Sequence, residues 1–258
     1  MSERRLRQMK SIPTEKLEEI SEKLYSKMEK VVYDNIANAV KANSAERIIA
    51  KSYYILHVQQ EFRDYCKIIS GSYFAEKELC DICECVNEFC AAVKGIIEDK
   101  GIRFIGEALE NPAIAYINRR ELNQALSAIV LNSLEHTAQG GKIEMSMEET
   151  ARTIKISVFD TGGGMDEETL RRCMEPLFTG MPASGSKEPL GLGLTLARFY
   201  IQDCGGKIRI KSLDGKFTKT EVVLPKPKDL SAEELHSMPG SLSGYDSAEI
   251  MIYMAPAL

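Results

Sequence analysis

Four short motifs occur in a fixed order in the second half of this chain, and their order constrains the fold more than any other feature. An Asn lies on a helix-like stretch, an Asp closes a strand-like stretch into glycines, an aromatic residue follows a proline, and a glycine pair opens another helix-like stretch. The motifs are residues 131–136 (LNSLEH), 160–165 (DTGGGM), 176–178 (PLF) and 191–194 (GLGL). One glycine cluster alone is weak evidence, whereas the ordered set indicates a single binding site.

The spacing of apolar residues around these motifs predicts an α+β sandwich. Apolar residues at three- and four-residue steps indicate helices, and strict alternation indicates strands. The predicted helices are 76–98, 118–138 and 190–203, and the predicted strands are 102–105, 142–147, 153–160, 207–211 and 220–224. Helices on one face of a mixed, mostly antiparallel sheet account for this order of elements.

The N-terminal part of the chain predicts a two-helix hairpin. Amphipathic stretches cover residues 14–42 and 45–69, and a Ser-Gly-Ser sequence at 70–72 ends the second one. Neither helix can bury its apolar stripe well alone, so we expect the hairpin to pair with a second copy in a homodimer. The expected organisation is a dimerisation hairpin over 1–70, a sandwich domain over 71–228 and a C-terminal tail over 229–258.

Composition restricts the class of protein. The 258 residues include 33 Lys and Arg against 38 Asp and Glu, so the net charge of −5 gives no argument for nucleic-acid binding. No apolar run approaches the ~20 residues of a membrane span, and the basic start lacks a secretory signal, so we expect a cytoplasmic protein. The seven cysteines, four of them within 80–90, are predicted to be reduced thiols on a helix face, with a metal or redox site as the alternative.

Asp160 and the glycines after it are suited to bind the edge of a base such as adenine. Asp160 ends a strand whose alternate residues point into the core. A carboxylate there can accept a hydrogen bond from the exocyclic amine of adenine, which compensates for its desolvation. Gly162 and Gly164 allow the backbone to adopt positive φ and to approach a base closely. The alternative is an ordinary strand-to-turn Asp-Thr-Gly sequence, because this tripeptide is common.

The second glycine pair predicts a phosphate-binding turn. Gly191 and Gly193 precede a predicted helix, whose N-terminus offers free N–H groups and the positive end of a dipole. Thr195 offers a hydroxyl in the first turn of that helix. The small, polar stretch 179–187 is predicted to be a flexible nucleotide lid, in which Lys187 is either a ligand of the γ-phosphate or a solvated loop lysine.

Together the motifs resemble the ATP-binding domain shared by gyrase, the 90-kDa heat-shock chaperones, sensor histidine kinases and MutL. The sequence LGLGL at 190–194 is most similar to the histidine kinases. The resemblance implies ATP and Mg²⁺ as ligands, with Asn132 on the metal and Glu135 and His136 facing the triphosphate. An ordinary surface histidine is the alternative for His136. The nucleotide-binding set that the resemblance implies also includes Met165, Phe178, Leu192 and Leu194.

The chain departs from the pattern of this family at three places. Ala128 stands where the gyrase and chaperone branches have the Glu that activates water, which argues against a fast ATPase of that kind. Pro189 replaces a glycine before the phosphate-binding turn. The phosphoacceptor His is expected on the first hairpin helix, but Tyr33 stands at the nearest equivalent position. His57, with Glu61 one turn away, is therefore the candidate acceptor, and an ordinary helix-face histidine is the alternative.

Three functions fit these observations. The first is a dimeric histidine kinase of two-component signalling, which phosphorylates itself and passes the phosphoryl group to an Asp of a response regulator receiver domain. The second is an ATP-binding signalling module or a regulator phosphatase without an acceptor, which the absence of His from 14–42 favours. The third is a serine protein kinase of the anti-sigma type, which the long hairpin disfavours because that type normally lacks one.

Overall fold

Seven strands and five helices make up the part of the chain that the structure describes. The structure is a computed structural model, and it describes residues 22, 26, 45–107, 111–179, 190–228, 250 and 254. The helices are α1 (Ala45–Ile69), α2 (Ile82–Glu98), α3 (Arg119–His136), α4 (Glu167–Arg172) and α5 (Gly193–Asp203). The strands are β1 (Glu78–Asp81), β2 (Arg103–Glu107), β3 (Ile114–Ile117), β4 (Lys142–Glu149), β5 (Thr153–Asp160), β6 (Lys207–Leu213) and β7 (Phe217–Pro225). The described residues do not include most of the predicted first hairpin helix. They also exclude most of the predicted lid, with Lys187, and most of the predicted tail.

A five-stranded sheet forms the centre of the domain. Its strand order is β2-β4-β5-β7-β6, with β2 parallel to β4 and the other neighbouring pairs antiparallel. Strands β1 and β3 form a separate antiparallel pair. Helices α2, α3 and α5 share one hydrophobic core with the five-stranded sheet. This arrangement confirms the predicted α+β sandwich.

The core lies between the central strand β5 and the helices. Ile154, Ile156 and Val158, which alternate along β5, are 0%, 0% and 1% exposed, as the two-residue repeat of a strand predicts. Phe89 of α2 and Leu126 of α3 are fully buried against them in the same core. Burying a side chain of this size contributes about 2 kcal/mol to folding. The core therefore fixes the ends of β5 and α3, which carry two of the four motifs.

The segment before α2 is a strand, so the prediction of one helix over 76–98 is wrong for its first residues. The Asp81 carboxylate accepts hydrogen bonds from the backbone N–H of Cys83 at 2.9 Å and of Ala113 at 3.1 Å. It therefore caps α2 and ties its start to the chain before β3. Neither β3 nor the short helix α4 was predicted. Both β1 and β3 depend on pairing between distant segments, which a local pattern does not reveal.

The cysteine cluster is divided between β1 and α2. Cys80 lies on β1, whereas Cys83 and Cys85 lie on the buried side of α2, and Cys90 is half-buried on the same helix. Among the described residues, no group of three or more His, Cys, Asp or Glu side chains could hold a metal ion. The cysteines contribute small apolar side chains to the core.

Helix α1 has the bounds predicted for the second hairpin helix, and it lies against the sandwich domain. Its apolar side forms a second hydrophobic cluster with α5 and the residues just before it, which we call the hairpin cluster. The hairpin cluster consists of Tyr54, Val58, Tyr65, Ile68, Leu190, Leu192, Leu196 and Tyr200. The predicted phosphate-binding turn is therefore packed on α1.

Candidate nucleotide-binding site

Asp160 is a buried hydrogen-bond acceptor at the end of β5. The residue is 2% exposed. Its Oδ2 accepts a hydrogen bond from the Ser133 hydroxyl at 2.8 Å, and its Oδ1 accepts one from the N–H of Gly162 at 3.0 Å. Burial raises the pKa of Asp160, and these two hydrogen bonds oppose the rise. The carboxyl group is thus held in one orientation, with further lone pairs to accept a hydrogen bond from a ligand.

The glycine turn after Asp160 runs very close to the backbone of two neighbouring elements. Gly164 has a φ of +68°, and a Cβ at this position would lie 2.1 Å from the carbonyl oxygen of Leu213. Gly162 does not have the predicted positive φ. A Cβ at Gly162 would lie 2.5 Å from the carbonyl oxygen of His136. Both positions require glycine, one for its conformation and both for the close approach.

The C-terminal turn of α3 brings the predicted polar residues beside this glycine turn. Asn132 is half-buried, whereas Glu135 and His136 are exposed. The N–H of Gly163 donates to the carbonyl oxygen of His136 at 3.2 Å, which ties the end of α3 to the glycine turn. Ser133, whose hydroxyl donates to the buried carboxylate at the end of β5, was not among the predicted site residues. Its place beside Asn132 in the first motif is the sequence signal that could have found it.

The predicted phosphate-binding turn leads directly into α5. Gly191 has a φ of +71°, and a Cβ there would lie 2.7 Å from the carbonyl oxygen of Phe178. Gly193 is the first residue of α5, so the helix begins later than the predicted residue 190. Among the described residues, no side chain caps this helix at Leu192. The first N–H groups of α5 are therefore oriented toward the space before the helix, which suits a phosphate.

Two contacts hold the residues that precede the predicted lid. The Arg172 guanidinium lies over the ring of Phe178, 4.4 Å from its centroid. The Thr195 hydroxyl donates to the carbonyl oxygen of Met174 at 3.1 Å. The Thr195 hydroxyl was predicted to face phosphate. It instead links α5 to the residues that precede the predicted lid.

Three residues of the predicted nucleotide-binding set have packing or hydrogen-bond partners inside the protein. Leu192 is fully buried in the hairpin cluster, and Leu194 is half-buried against the main core. The backbone N–H of Met165 donates to the Ser212 hydroxyl at 2.8 Å. These contacts fix the backbone of the motifs, so the three residues shape the site by holding its two turns in place.

Comparison with known proteins identifies the domain that carries this site. Residues 117–228 match the family described as histidine kinase-, DNA gyrase B-, and HSP90-like ATPase. These residues form a histidine kinase-like ATPase domain. The adaptive-response sensory kinase SasA of Crocosphaera subtropica is 28% identical over 131 residues, which cover 50% of this chain and 34% of SasA. The histidine protein kinase DivJ of Caulobacter vibrioides is 27% identical over 184 residues, which cover 71% of this chain and 31% of DivJ.

Solved structures of histidine kinases share the fold of the ATPase domain. The catalytic domain of the histidine kinase ThkA has a TM-score of 0.50 and 25% identity, covering 59% of this chain and 99% of that domain. ThkA in complex with the response regulator protein TrrA shares the fold with a TM-score of 0.59 and 22% identity, over 87% of this chain and 65% of that one. The chain spans about a third of the length of SasA and DivJ. Among the described residues, no helix has the length and apolar character that crossing a membrane requires.

Glu61 of α1 reaches the predicted phosphate-binding turn, and His57 lies beside Glu61. Glu61 Oε1 lies 3.4 Å from the position that a Gly193 Cβ would take, and Ala128 Cβ lies 3.5 Å from the same position. His57 Nε2 is 3.6 Å from Glu61 Oε1, and the two side chains are 12% and 14% exposed. The pairing of His57 with Glu61 was predicted, but the approach of Glu61 to Gly193 was not, because this contact joins segments that are far apart in the chain.

Burial sets the charge of this pair. Desolvation lowers the pKa of His57 to about 4, so the imidazole is neutral near pH 7. Desolvation, together with the nearby charge of Glu135, raises the pKa of Glu61 to about 8. The Glu61 carboxyl is therefore mostly protonated at pH 7 and mostly ionised above pH 8. A group with such a pKa can exchange a proton at ordinary pH.

Proposed function

We propose that the ATPase domain binds ATP together with Mg²⁺, between α3 and the lid. The observation that carries this proposal is the buried Asp160 carboxyl, which its own hydrogen bonds orient as an acceptor for the adenine amine. Asn132 offers an amide oxygen, a ligand that suits Mg²⁺, and the uncapped start of α5 at Gly193 offers N–H groups to the phosphates. Bound Mg²⁺ supplies positive charge that offsets the charge of the phosphates.

The residues around Asp160, Asn132 and Gly193 are proposed to make supporting contacts with the nucleotide. The exposed end of α3 faces the triphosphate, the two turns approach the nucleotide through their backbone, and the lid covers it. The supporting residues are Glu135, His136, Gly162, Gly164, Met165, Phe178, Lys187, Gly191, Leu192, Leu194 and Thr195.

Replacing Asn132 with Leu should weaken ATP binding only when Mg²⁺ is present. Leu has a similar volume but no ligand oxygen, so we expect the affinity for ATP in Mg²⁺ to fall about tenfold. The affinity measured in EDTA should not change. Calorimetric titration under both conditions checks this, with Asn87→Leu on the exposed side of α2 as the control. Equal losses with and without the metal would rule out a metal ligand at Asn132.

We further propose that His57 accepts the γ-phosphoryl group and that Glu61 acts as its base. Nδ1 of the neutral imidazole forms a bond to the γ-phosphorus, the bond from that phosphorus to the β–γ bridging oxygen breaks, and ADP leaves. The proton on Nε2 passes to Glu61 Oε1, 3.6 Å away, in molecules whose Glu61 carboxyl is ionised, a fraction that is small at pH 7 and grows above pH 8. The approach of Glu61 to Gly193, with His57 beside Glu61, supports this proposal.

The phosphoryl group on His57 is then proposed to pass to an Asp of a response regulator receiver domain. The relatives are sensor histidine kinases, and one of them, ThkA, has been seen with a response regulator. Transfer of this kind would make the chain an enzyme of two-component signalling. We place the reaction in the cytoplasm, where such receiver domains and ATP are found together.

A second candidate is an ATP-binding signalling module, or a regulator phosphatase, that does not phosphorylate itself. The absence of a histidine from residues 14–42 favours it. The packing of the phosphate-binding turn on α1 also favours it, because nucleotide binding at the turn could then move the hairpin without any covalent step. Mapping of phosphorylation sites separates the two candidates.

We propose a hairpin over 1–70 that forms a homodimer, the ATPase domain over 71–228 and a tail over 229–258. Leu56 is 46% exposed on α1 and supplies apolar surface for a second copy. Light scattering on the intact chain should give twice the chain mass of 28.8 kDa. Leu56→Glu should shift the protein toward the monomer, whereas Gln59→Glu, also exposed on α1, should not. A monomer in the parent protein would contradict this proposal.

A further inference from the structure

A buried hydrogen-bond network joins α1 to α5. The Tyr200 hydroxyl donates to Asp64 Oδ2 at 3.0 Å, and the Gln60 amide donates to the same oxygen at 2.8 Å. Asp64 is 5% exposed and Tyr200 is 2% exposed. A buried carboxylate needs such donors, because otherwise its desolvation is not compensated. Gln60 and Asp64 lie on the same helix, so the Tyr200–Asp64 hydrogen bond is the part of the network that depends on the relative position of α1 and α5.

The network lies on the same helix faces as His57, Glu61 and the phosphate-binding turn. Asp64 follows Glu61 by three positions and His57 by seven, spacings that place all three on one side of α1. Tyr200 follows Gly193 by seven positions on α5, which places both on one side of that helix. A bond between Tyr200 and Asp64 therefore sets where the His57–Glu61 pair lies relative to Gly193.

The apolar contacts around the network do not define this position by themselves. The hairpin cluster surrounds the network, and the Tyr73 ring lies 6.0 Å from the Tyr200 ring. Apolar burial is not directional and tolerates a shift of one helix along the other, whereas a hydrogen bond weakens steeply when its geometry changes. The hydroxyl of Tyr200 therefore fixes the relative position of α1 and α5, and the hairpin cluster holds the two helices together.

We propose that Tyr200 and Asp64 are positioning residues for phosphoryl transfer, which hold His57 and Glu61 at the phosphate-binding turn. This inference rests on the proposed function of His57 as the acceptor. Neither residue belongs to the nucleotide site described above. Transfer depends steeply on geometry, since a displacement of about 1 Å can slow a reaction about a hundredfold. Nucleotide binding, which relies on Asp160, does not require this register.

Tyr200→Phe in the full chain tests the inference, because it removes one hydroxyl and keeps the ring. We expect the rate of His57 phosphorylation to fall at least about tenfold, while the dissociation constant for ATP stays within about twofold of the parent value. Tyr65→Phe is the matched control. Tyr65 is 3% exposed in the same cluster, and its hydroxyl has no hydrogen-bond partner among the described residues. Its removal should leave both quantities unchanged.

Two variants of Asp64 separate positioning from packing. Asn keeps a carbonyl oxygen that can accept from both Tyr200 and Gln60, so Asp64→Asn should keep the parental rate of phosphorylation. Leu has a similar size but no acceptor, so Asp64→Leu should be as slow as Tyr200→Phe. Loss of the rate in both Asp64 variants would indicate that the hydrogen bonds are not what matters, and it would overturn the inference.

The outcomes distinguish this inference from the proposed function. Equal phosphorylation of Tyr200→Phe and the parent overturns the inference and leaves the proposed function in place. A parent protein without label on His57 contradicts the proposed function. In that case hydrogen exchange over residues 54–68 decides the positioning role. We expect faster exchange in Tyr200→Phe than in Tyr65→Phe, and equal exchange would overturn the role of the network.

Discussion

An Asp160→Asn variant should lose ATP binding and keep its fold. Asn retains one side-chain oxygen, but its NH₂ group replaces the other, so a donor would face either the Ser133 hydroxyl or the Gly162 N–H and would disturb the orientation that receives the adenine amine. Losing a charge-assisted hydrogen bond and bringing two donors together costs about 3 kcal/mol, or about a hundredfold in affinity. Calorimetric titration with Mg²⁺ and ATP measures the change.

The control for this variant is Asp99→Asn, which makes the same chemical change at an exposed position just after α2. Urea unfolding of both variants shows whether the fold is kept. We expect Asp160→Asn to unfold in one cooperative transition, with a free energy of unfolding about 1–2 kcal/mol below the parent value, because its NH₂ group faces a buried donor even without ATP. Unchanged ATP affinity in Asp160→Asn would remove this residue from the site.

Gly164→Ala should destabilise the protein strongly, whereas Gly163→Ala should be tolerated. An Ala at 164 would have to adopt a φ of +68° with its Cβ 2.1 Å from the carbonyl oxygen of Leu213, so the turn must move. We expect a loss of about 3 kcal/mol in the free energy of unfolding. ATP affinity should fall with it, since this turn adjoins Asp160.

Gly163 is the matched position in the same turn. Its φ is not positive, and no atom lies within 4 Å of the place where its Cβ would be. The free energy of unfolding of Gly163→Ala should therefore stay within about 0.5 kcal/mol of the parent value. Urea unfolding compares the two variants directly. Similar stabilities for both would mean that the turn does not have the conformation described above.

The parts of the fold that local pattern controls could be predicted from the sequence. Strand β5 has the predicted bounds and ends at Asp160, because alternation of apolar and polar residues is strong along it. Helix α3 begins and ends within two residues of its predicted bounds of 118–138, because Asn118 caps its start by accepting a hydrogen bond from the N–H of Glu121. Both elements carry motif residues, so the positions of Asn132 and Asp160 could be predicted from the sequence.

The rest depends on contacts between distant segments. The sequence around Cys80 has helical spacing, yet β1 forms there because β3 pairs with it and Asp81 stops α2. Leu192 was assigned to nucleotide binding by resemblance, and only the packing of α1 reveals that its side chain is buried in the hairpin cluster. The approach of Glu61 to Gly193 also results from the packing of α1 on the start of α5. No periodic pattern in either segment encodes these contacts.

The most direct test of the account is intact-mass analysis with site mapping after the purified chain is incubated with Mg²⁺ and ATP. The account predicts one acid-labile phosphoryl group on His57, lost in His57→Gln and in Asp160→Asn but kept in His236→Gln. The first variant removes the acceptor, the second removes nucleotide binding, and the third leaves both. No label in a sample that binds ATP, or an acid-stable label on Ser, would contradict the account and identify an ATP-binding relative that works without phosphorylating His57.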